Sequence, residues 1–210
     1  MSLDELASIA TPPLLPPPAA IPKILTDAGV RGVELFRFLS SVRNGFYSFE
    51  SSLHVFPAGT LPGVMDLNQW NDPTLWAGEY GDLAKKCLFF GEDVFGGQFC
   101  IFDGAIHAFD PETGEKTILS TSLAEWGALV MQDYEFLTGF PLAHEWQKSH
   151  GTLPMGKRLL PKIPFVTEGP FTVDNLYAGD AVEGMRFRAD LARQIHDLPD
   201  GAKIQFKVTE

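Results

Sequence analysis

Two cysteines and five histidines are the residues of this 210-residue chain best suited to nucleophilic or metal chemistry, and their spacing limits what they can do. Asp103-Gly104 lies between QFCIF and AIHAF and is a strong two-residue hairpin signal. That turn sets Phe102 opposite Ala105, Ile101 opposite Ile106 and Cys100 opposite His107. Directly opposed side chains are within reach of each other, and a thiol beside an imidazole is the beginning of a nucleophilic site. A loop one residue longer would separate them. AHEWQKSH (143–150) invites comparison with a zinc-protease helix, which needs two His at i and i+4 on one face. Position 148 is Lys, and His144 and His150 point to different sides. Asp103, Asp110, Glu112 and Glu115 lie near two turns without the spacing of an EF-hand. Gly91, Gly96 and Gly97 form neither a phosphate loop nor a dinucleotide fingerprint, and no G-x-S-x-G elbow occurs. The chain therefore reads as non-enzymatic, with no metal or cofactor. An enzyme built on Cys100 and His107 is the alternative.

The elements that would position these residues fall into groups. CLFF (87–90), QFCIFD (98–103), AIHAFD (105–110) and TILS (117–120) read as short strands divided by turns. Earlier, FYSFESSLHVFP fits a hairpin ending at Pro57. A helix is expected over 30–43, with Val33, Phe36, Leu39 and Val42 at helical spacing and Asn44-Gly45 as its stop. Asp72-Pro73 opens a short helix through Trp76. Ser122 with Glu125 forms a capping box, and Leu123, Trp126, Val130, Tyr134 and Leu137 make one stripe ended by Gly139. A further helix runs from Pro141 to Gly151. TPPLLPPPAAIP (11–22) must be extended. In the tail, GKRLLPKIPFV reads as a strap and FTVDNLY as a strand. Residues 183–197 read as a helix burying Met185, Leu191, Ile195 and Leu198, and AKIQFKV as a closing strand. Strands grouped before helices argue an α+β fold with a mainly antiparallel sheet. The expected organisation is a proline-rich segment (1–29), an α+β domain (30–147) and a C-terminal extension packed on it (148–210).

Composition sets outer bounds. A chain of this length with 45% hydrophobic residues can bury a core without disulfides. Seventeen Phe exclude a largely disordered chain, and two Cys exclude a disulfide scaffold. No 18-residue apolar run is present, so no membrane span is expected. The N-terminus lacks the basic start and apolar run of a secretory signal. A cytoplasmic location with reduced Cys87 and Cys100 follows as the expectation. Net charge is −11. It is not evenly spread: residues 44–147 carry fifteen acids and three bases, while the two flanks are close to neutral. Nucleic acid is an unfavourable partner for such a chain. A basic protein partner would be steered toward the acidic segment.

FLSSVRNGFYSFESSLHVFP (38–57), FFGEDVFGGQFCIF (89–102) and FDPETGEKTILSTSLAEWGALV (109–130), in this order and spacing, resemble the cell-wall-regulator family of the SUKH superfamily. The matching positions are Gly45, Gly91, Glu92, Phe95, Gly96, Phe99 and Trp126, over roughly residues 30–147. The resemblance implies an α+β domain without a catalytic centre. It also implies an immunity protein that binds and neutralises a polymorphic toxin, or a housekeeping interaction scaffold. Of the matching stretch, Glu92 and Asp93 are the residues free to be functional. With Glu112 and Glu115 they bracket the 98–110 hairpin from the end opposite Asp103. These four acids are the expected partner-binding surface, on turns where binding residues concentrate.

Overall fold

The computed structural model describes residues 3–199 and 201–202. Its centre is a six-stranded antiparallel meander whose spatial order follows the sequence. The strands are β1 (Phe46–Ser48), β2 (Leu53–Val55), β3 (Leu88–Asp93), β4 (Gln98–Phe102), β5 (Ala105–Phe109) and β6 (Lys116–Ser120). Together with the helices they make an α+β fold. The β4–β5 turn is the two-residue turn expected from Asp103-Gly104. Both residues have positive φ, 47° and 75°, and Phe102, Ile101 and Cys100 face Ala105, Ile106 and His107. The β1–β2 turn instead places the non-glycine residues Phe49, Glu50 and Ser51 at positive φ.

One irregularity in the sheet decides which residues reach which face. Phe89 pairs with Cys100 and Gly91 with Phe99, so Phe90 and Gly91 together oppose one residue of β4. This β-bulge resets the alternation of β3. Glu92 thereby joins the face of Phe89, opposite Gln98 and His54. Asp93 follows on the other face.

Each face is covered by aromatic side chains. On the Glu92 face, Phe56 stacks on Trp70, and Trp76 and Tyr80 pack on Phe89 and Phe109. On the other face, Trp126 packs against Phe90 and Phe99, and Phe38 against Phe46. Trp126 belongs to α5 (Leu123–Gln132), whose cap is the expected one: Ser122 Oγ accepts from the Glu125 amide. The Glu125 carboxylate, however, turns to Thr121. The stripe breaks at Asp133 and continues as α6 (Tyr134–Thr138). Gly139 then starts α7 (Phe140–His150).

Several expected elements are displaced. The 30–43 helix is α3 (Gly29–Ser41), but it buries Gly32, Leu35, Phe38 and Leu39 while Val42 is exposed. The helix is rotated relative to the Val33–Phe36–Val42 stripe, with Phe38 turned inward edge-on to Phe46 of β1. The 1–29 segment is not only a proline strap. It contains α1 (Leu3–Ser8) and α2 (Lys23–Asp27) and buries Leu6 and Leu25 in the core. Its proline run is pinned, since the Leu14 and Leu15 amides donate to the Gly45 and Asn44 carbonyls. Instead of a helix opened by Asp72-Pro73, Asp66 caps α4 (Leu67–Trp70) through a capping box with Gln69. A 3-10 segment then spans Ala77–Leu83.

The tail packs on the body. β7 (Lys157–Pro161) lies in the expected strap and pairs with β8 (Leu176–Asp180), which starts at the end of FTVDNLY. α8 (Ala181–Ile195), capped by Asp180, delivers Met185, Ala189 and Ala192 to the main core. Met185, Leu191 and Ile195 are buried as expected, and Leu198 is exposed. The expected closing strand AKIQFKV lies mostly outside the described residues.

Candidate functional site

At the end of the sheet opposite Asp103, the β3–β4 and β5–β6 turns face α6, the start of α7 and the loop carrying Phe165 and Phe171. Between them is an open groove of about 790 Å³. Its walls are Phe99, Phe109, Leu137, Leu142 and a cluster in which Phe165 and Phe171 stack at 3.9 Å with Phe95 edge-on at 5.5 Å. Phe136 and Phe171 stay 82% and 63% exposed. Asp93, Asp110, Glu112 and Glu135 line the same groove, with Arg188 as its one cation among the lining residues. Arg188 is occupied, because its Nη1 donates to the Phe95 carbonyl at 2.6 Å and its Nε to the Gly184 carbonyl.

The four acids expected on one exposed surface separate into three environments. Glu92 lies inside strand β3 and is 2% exposed, so it is no part of a surface patch. Asp93, half-buried, lines the groove, and its Oδ1 accepts from the Phe95 and Gly97 amides, both at 2.8 Å. Burial raises its pKa, against those two donors and Arg188. Glu112 also lines the groove but is buried. Its Oε2 accepts from the Val166 amide at 2.8 Å, and burial raises its pKa too. Only Glu115 is fully exposed, at the β5–β6 turn and away from the groove lining. The physical reason is the pleat and the bulge: neighbours on a strand point to opposite faces, and the tail covers the turns that looked open.

Glu92 instead belongs to a buried ionic cluster. Arg158 Nη2 lies 2.7 Å from Glu92 Oε1, and His54 Nδ1 lies 3.0 Å from the same oxygen. Gln98 is near the other oxygen at 3.4 Å and accepts from Trp70 Nε1 at 2.8 Å. Burial pushes the Glu92 carboxyl up, but Arg158 and the His54 hydrogen bond outweigh it and hold it at about 2. Burial lowers His54 below its usual value despite Glu92. The state at neutral pH is therefore an ionised Glu92–Arg158 pair with a neutral His54 donating from Nδ1. Sequence reasoning passed over Arg158 and His54. The signal was a polar residue set next to apolar strand positions, His54 in LHV and Arg158 in KRLLP, which must find a partner when buried.

Cys100 and His107 do oppose each other, as the turn requires. Yet Cys100 is fully buried, and a hydrogen bond with Cys87 together with burial raises its pKa well above that of a free thiol. That disfavours the thiolate a nucleophile needs. His144 and His150 diverge as expected, His144 toward Glu50 and His150 toward the Trp146 carbonyl. Among the described residues no three His, Cys, Asp or Glu side chains cluster as metal ligands, and no helix is long and apolar enough to cross a membrane.

No protein-family model matches the sequence, and no curated protein is significantly similar to it. Among solved structures, the crystal structure of Atu4351 from Agrobacterium tumefaciens is similar, with a TM-score of 0.55 and 13% identity. The match covers 89% of this chain and 87% of that one. At this identity the likeness concerns the fold alone. It spans the sheet domain and the tail together.

Proposed function

We propose that this chain is a non-enzymatic protein-binding domain, an immunity protein that neutralises a basic toxin domain, and that the partner docks in the groove at the β3–β4 and β5–β6 turns. The observation that carries the reading is the combination of apolar walls, solvent-exposed Phe136 and Phe171, and an acidic lining. Exposed aromatics of this kind are the anchors of protein interfaces, and contiguous apolar surface on a monomer marks a binding site. The exposed acids Asp110 and Glu135 complement a basic segment whose apolar side chains fill the groove. Toxin domains that act on nucleic acid are basic because their substrate is anionic, which fits this charge and the SUKH resemblance of residues 30–147. Glu92 is withdrawn from the partner surface by its burial.

The test is affinity capture from the native host with the wild-type chain and with Asp110→Lys/Glu135→Lys/Phe136→Ser, followed by reconstitution with the purified partner. The reading expects a basic partner, a complex lost in the variant, and suppression of the partner's toxicity by the wild-type chain only. A complex that persists unchanged in a variant melting like wild type would overturn it.

A further inference from the structure

On the opposite face of the sheet from Asp93 lies a second cavity, of about 360 Å³. Its sheet-side wall contains Tyr47, His54, Phe56, Trp70 and Glu92, and its other side is closed by the tail at Met155 and Val182. The ring of His54 is held on both sides. Tyr47 stacks on it at 4.2 Å and 10°, and Phe56 leans on it at 4.3 Å. Phe56 in turn stacks on Trp70 at 4.6 Å. Glu92 Oε1 accepts from the protonated Nδ1 of the neutral ring, so Nε2 carries the lone pair. That nitrogen is buried and has no hydrogen-bond partner among the described residues.

A buried acceptor without a partner is costly, and a histidine oriented by a carboxylate with its second nitrogen left open is a prepared recognition group. We propose that this cavity binds a small uncharged molecule carrying one O–H or N–H donor, which hydrogen-bonds to His54 Nε2 and packs against Val64, Met65 and Val182 at the cavity wall. The size is within the range of small-molecule sites, and the lining mixes apolar Leu14, Val64, Met65 and Val182 with polar Gln69 and Asp180. The preference for an uncharged ligand follows from the charges already present. Glu92 is matched by Arg158, and Asp180 at the rim is committed to the α8 cap and to Lys157. An anion would meet the Glu92 carboxylate and the Nε2 lone pair, and a cation would have to compete with Arg158. The site is separate from the groove and does not depend on its role.

The experiment is a titration of the full 15N-labelled chain with indole and phenol, and with their donorless counterparts indene and toluene, observed at the His54 imidazole nitrogens. The free protein should show a neutral ring protonated at Nδ1. Indole or phenol should then bind saturably and shift Nε2, at least tenfold more tightly than indene or toluene. His54→Phe keeps the stacked ring and should level each pair to within about twofold. Met155→Trp, at a position 66% exposed on the cavity rim, should abolish binding without changing the melting temperature. It carries the test if His54→Phe fails to fold. The proposal is overturned if neither donor probe shifts His54 saturably, if indene and toluene bind as well as their partners, or if binding survives a folded Met155→Trp.

Discussion

Replacing Arg158 with Met tests what the buried pair does for the fold. Arg158 is 1% exposed and reaches Glu92 from β7, so it ties the tail to the central sheet. Met preserves an unbranched apolar stem and removes only the guanidinium. Glu92 would then remain buried with His54 and Gln98 as its partners. Removing one member of a buried pair costs about 3–5 kcal/mol, because the charge left behind is uncompensated. The titration of Glu92 gives a similar figure. A carboxyl held at about 2 against an ordinary 4.5 corresponds to about 3 kcal/mol at ~1.4 kcal/mol per pH unit. That is a large share of the roughly 5–15 kcal/mol that holds a domain folded. The sign follows from linkage: the folded pKa lies below the unfolded one, so this stabilisation is present above pH 4.5 and lost as pH falls toward 2. The cost of Arg158→Met should accordingly be full at pH 7 and shrink as pH drops through 4.5, where an unpaired Glu92 takes up a proton. His54, kept neutral chiefly by burial and further by Arg158, gives wild type an additional loss of stability below 6.5, which is smaller in the variant because Arg158 no longer opposes the imidazolium. Urea unfolding followed by tryptophan fluorescence at pH 7 and at pH ~4.5 measures both differences. Arg158→Met/Glu92→Gln should recover more than half of the loss. A single variant within about 1 kcal/mol of wild type at pH 7, or a double variant worse than the single, would refute the reasoning.

Gly139 has φ 70° and a Cβ there would collide with the Phe95 ring and Val94, whereas Gly104 has φ 75° and open space around it. Gly139→Ala should therefore cost clearly more than the ~1–2 kcal/mol left-handed penalty alone, and Gly104→Ala about that penalty, as thermal unfolding would register. Alkylation of the native protein at neutral pH should leave Cys100 unmodified on a timescale that labels an exposed thiol, since Cys100 is buried and its pKa is raised; rapid single-site labelling of Cys100 would revive a Cys–His site. Glu135→Lys should leave stability within about 0.5 kcal/mol, because exposed charges contribute little, and adding Asp110→Lys should cost roughly a further 1 kcal/mol for the acceptor that Asp110 Oδ1 gives the Glu112 amide. The same pair should slow association with a basic partner several-fold, more at low salt, and an unchanged on-rate would remove these acids from the interface.

Local signals were legible in the sequence wherever a short-range rule governs the backbone. Asp103-Gly104 specified a two-residue turn, and with it the register that brings Cys100 to His107. Ser122 marked the start of α5, and Gly139 and Gly151 marked the helix ends. The grouping of strands before helices was enough for the α+β class, and the alternating runs for an antiparallel sheet. Tertiary structure alone decided the rest. Gly91 inside an apolar strand run is a mark of a bulge, but its place and the face it gives Glu92 answer to the pairing of β3 with two neighbours at once. Through it Glu92 turned inward to Arg158, 66 positions along the chain, while Asp93 turned to the groove. The phase of α3 was likewise set by what the sheet had room for, and the Pro-containing KRLLP run became a strand only because LYAGD was there to pair with it. A turn is settled by a few dihedral preferences, whereas a side chain's face, burial and charge partner depend on segments that meet only when the chain has folded.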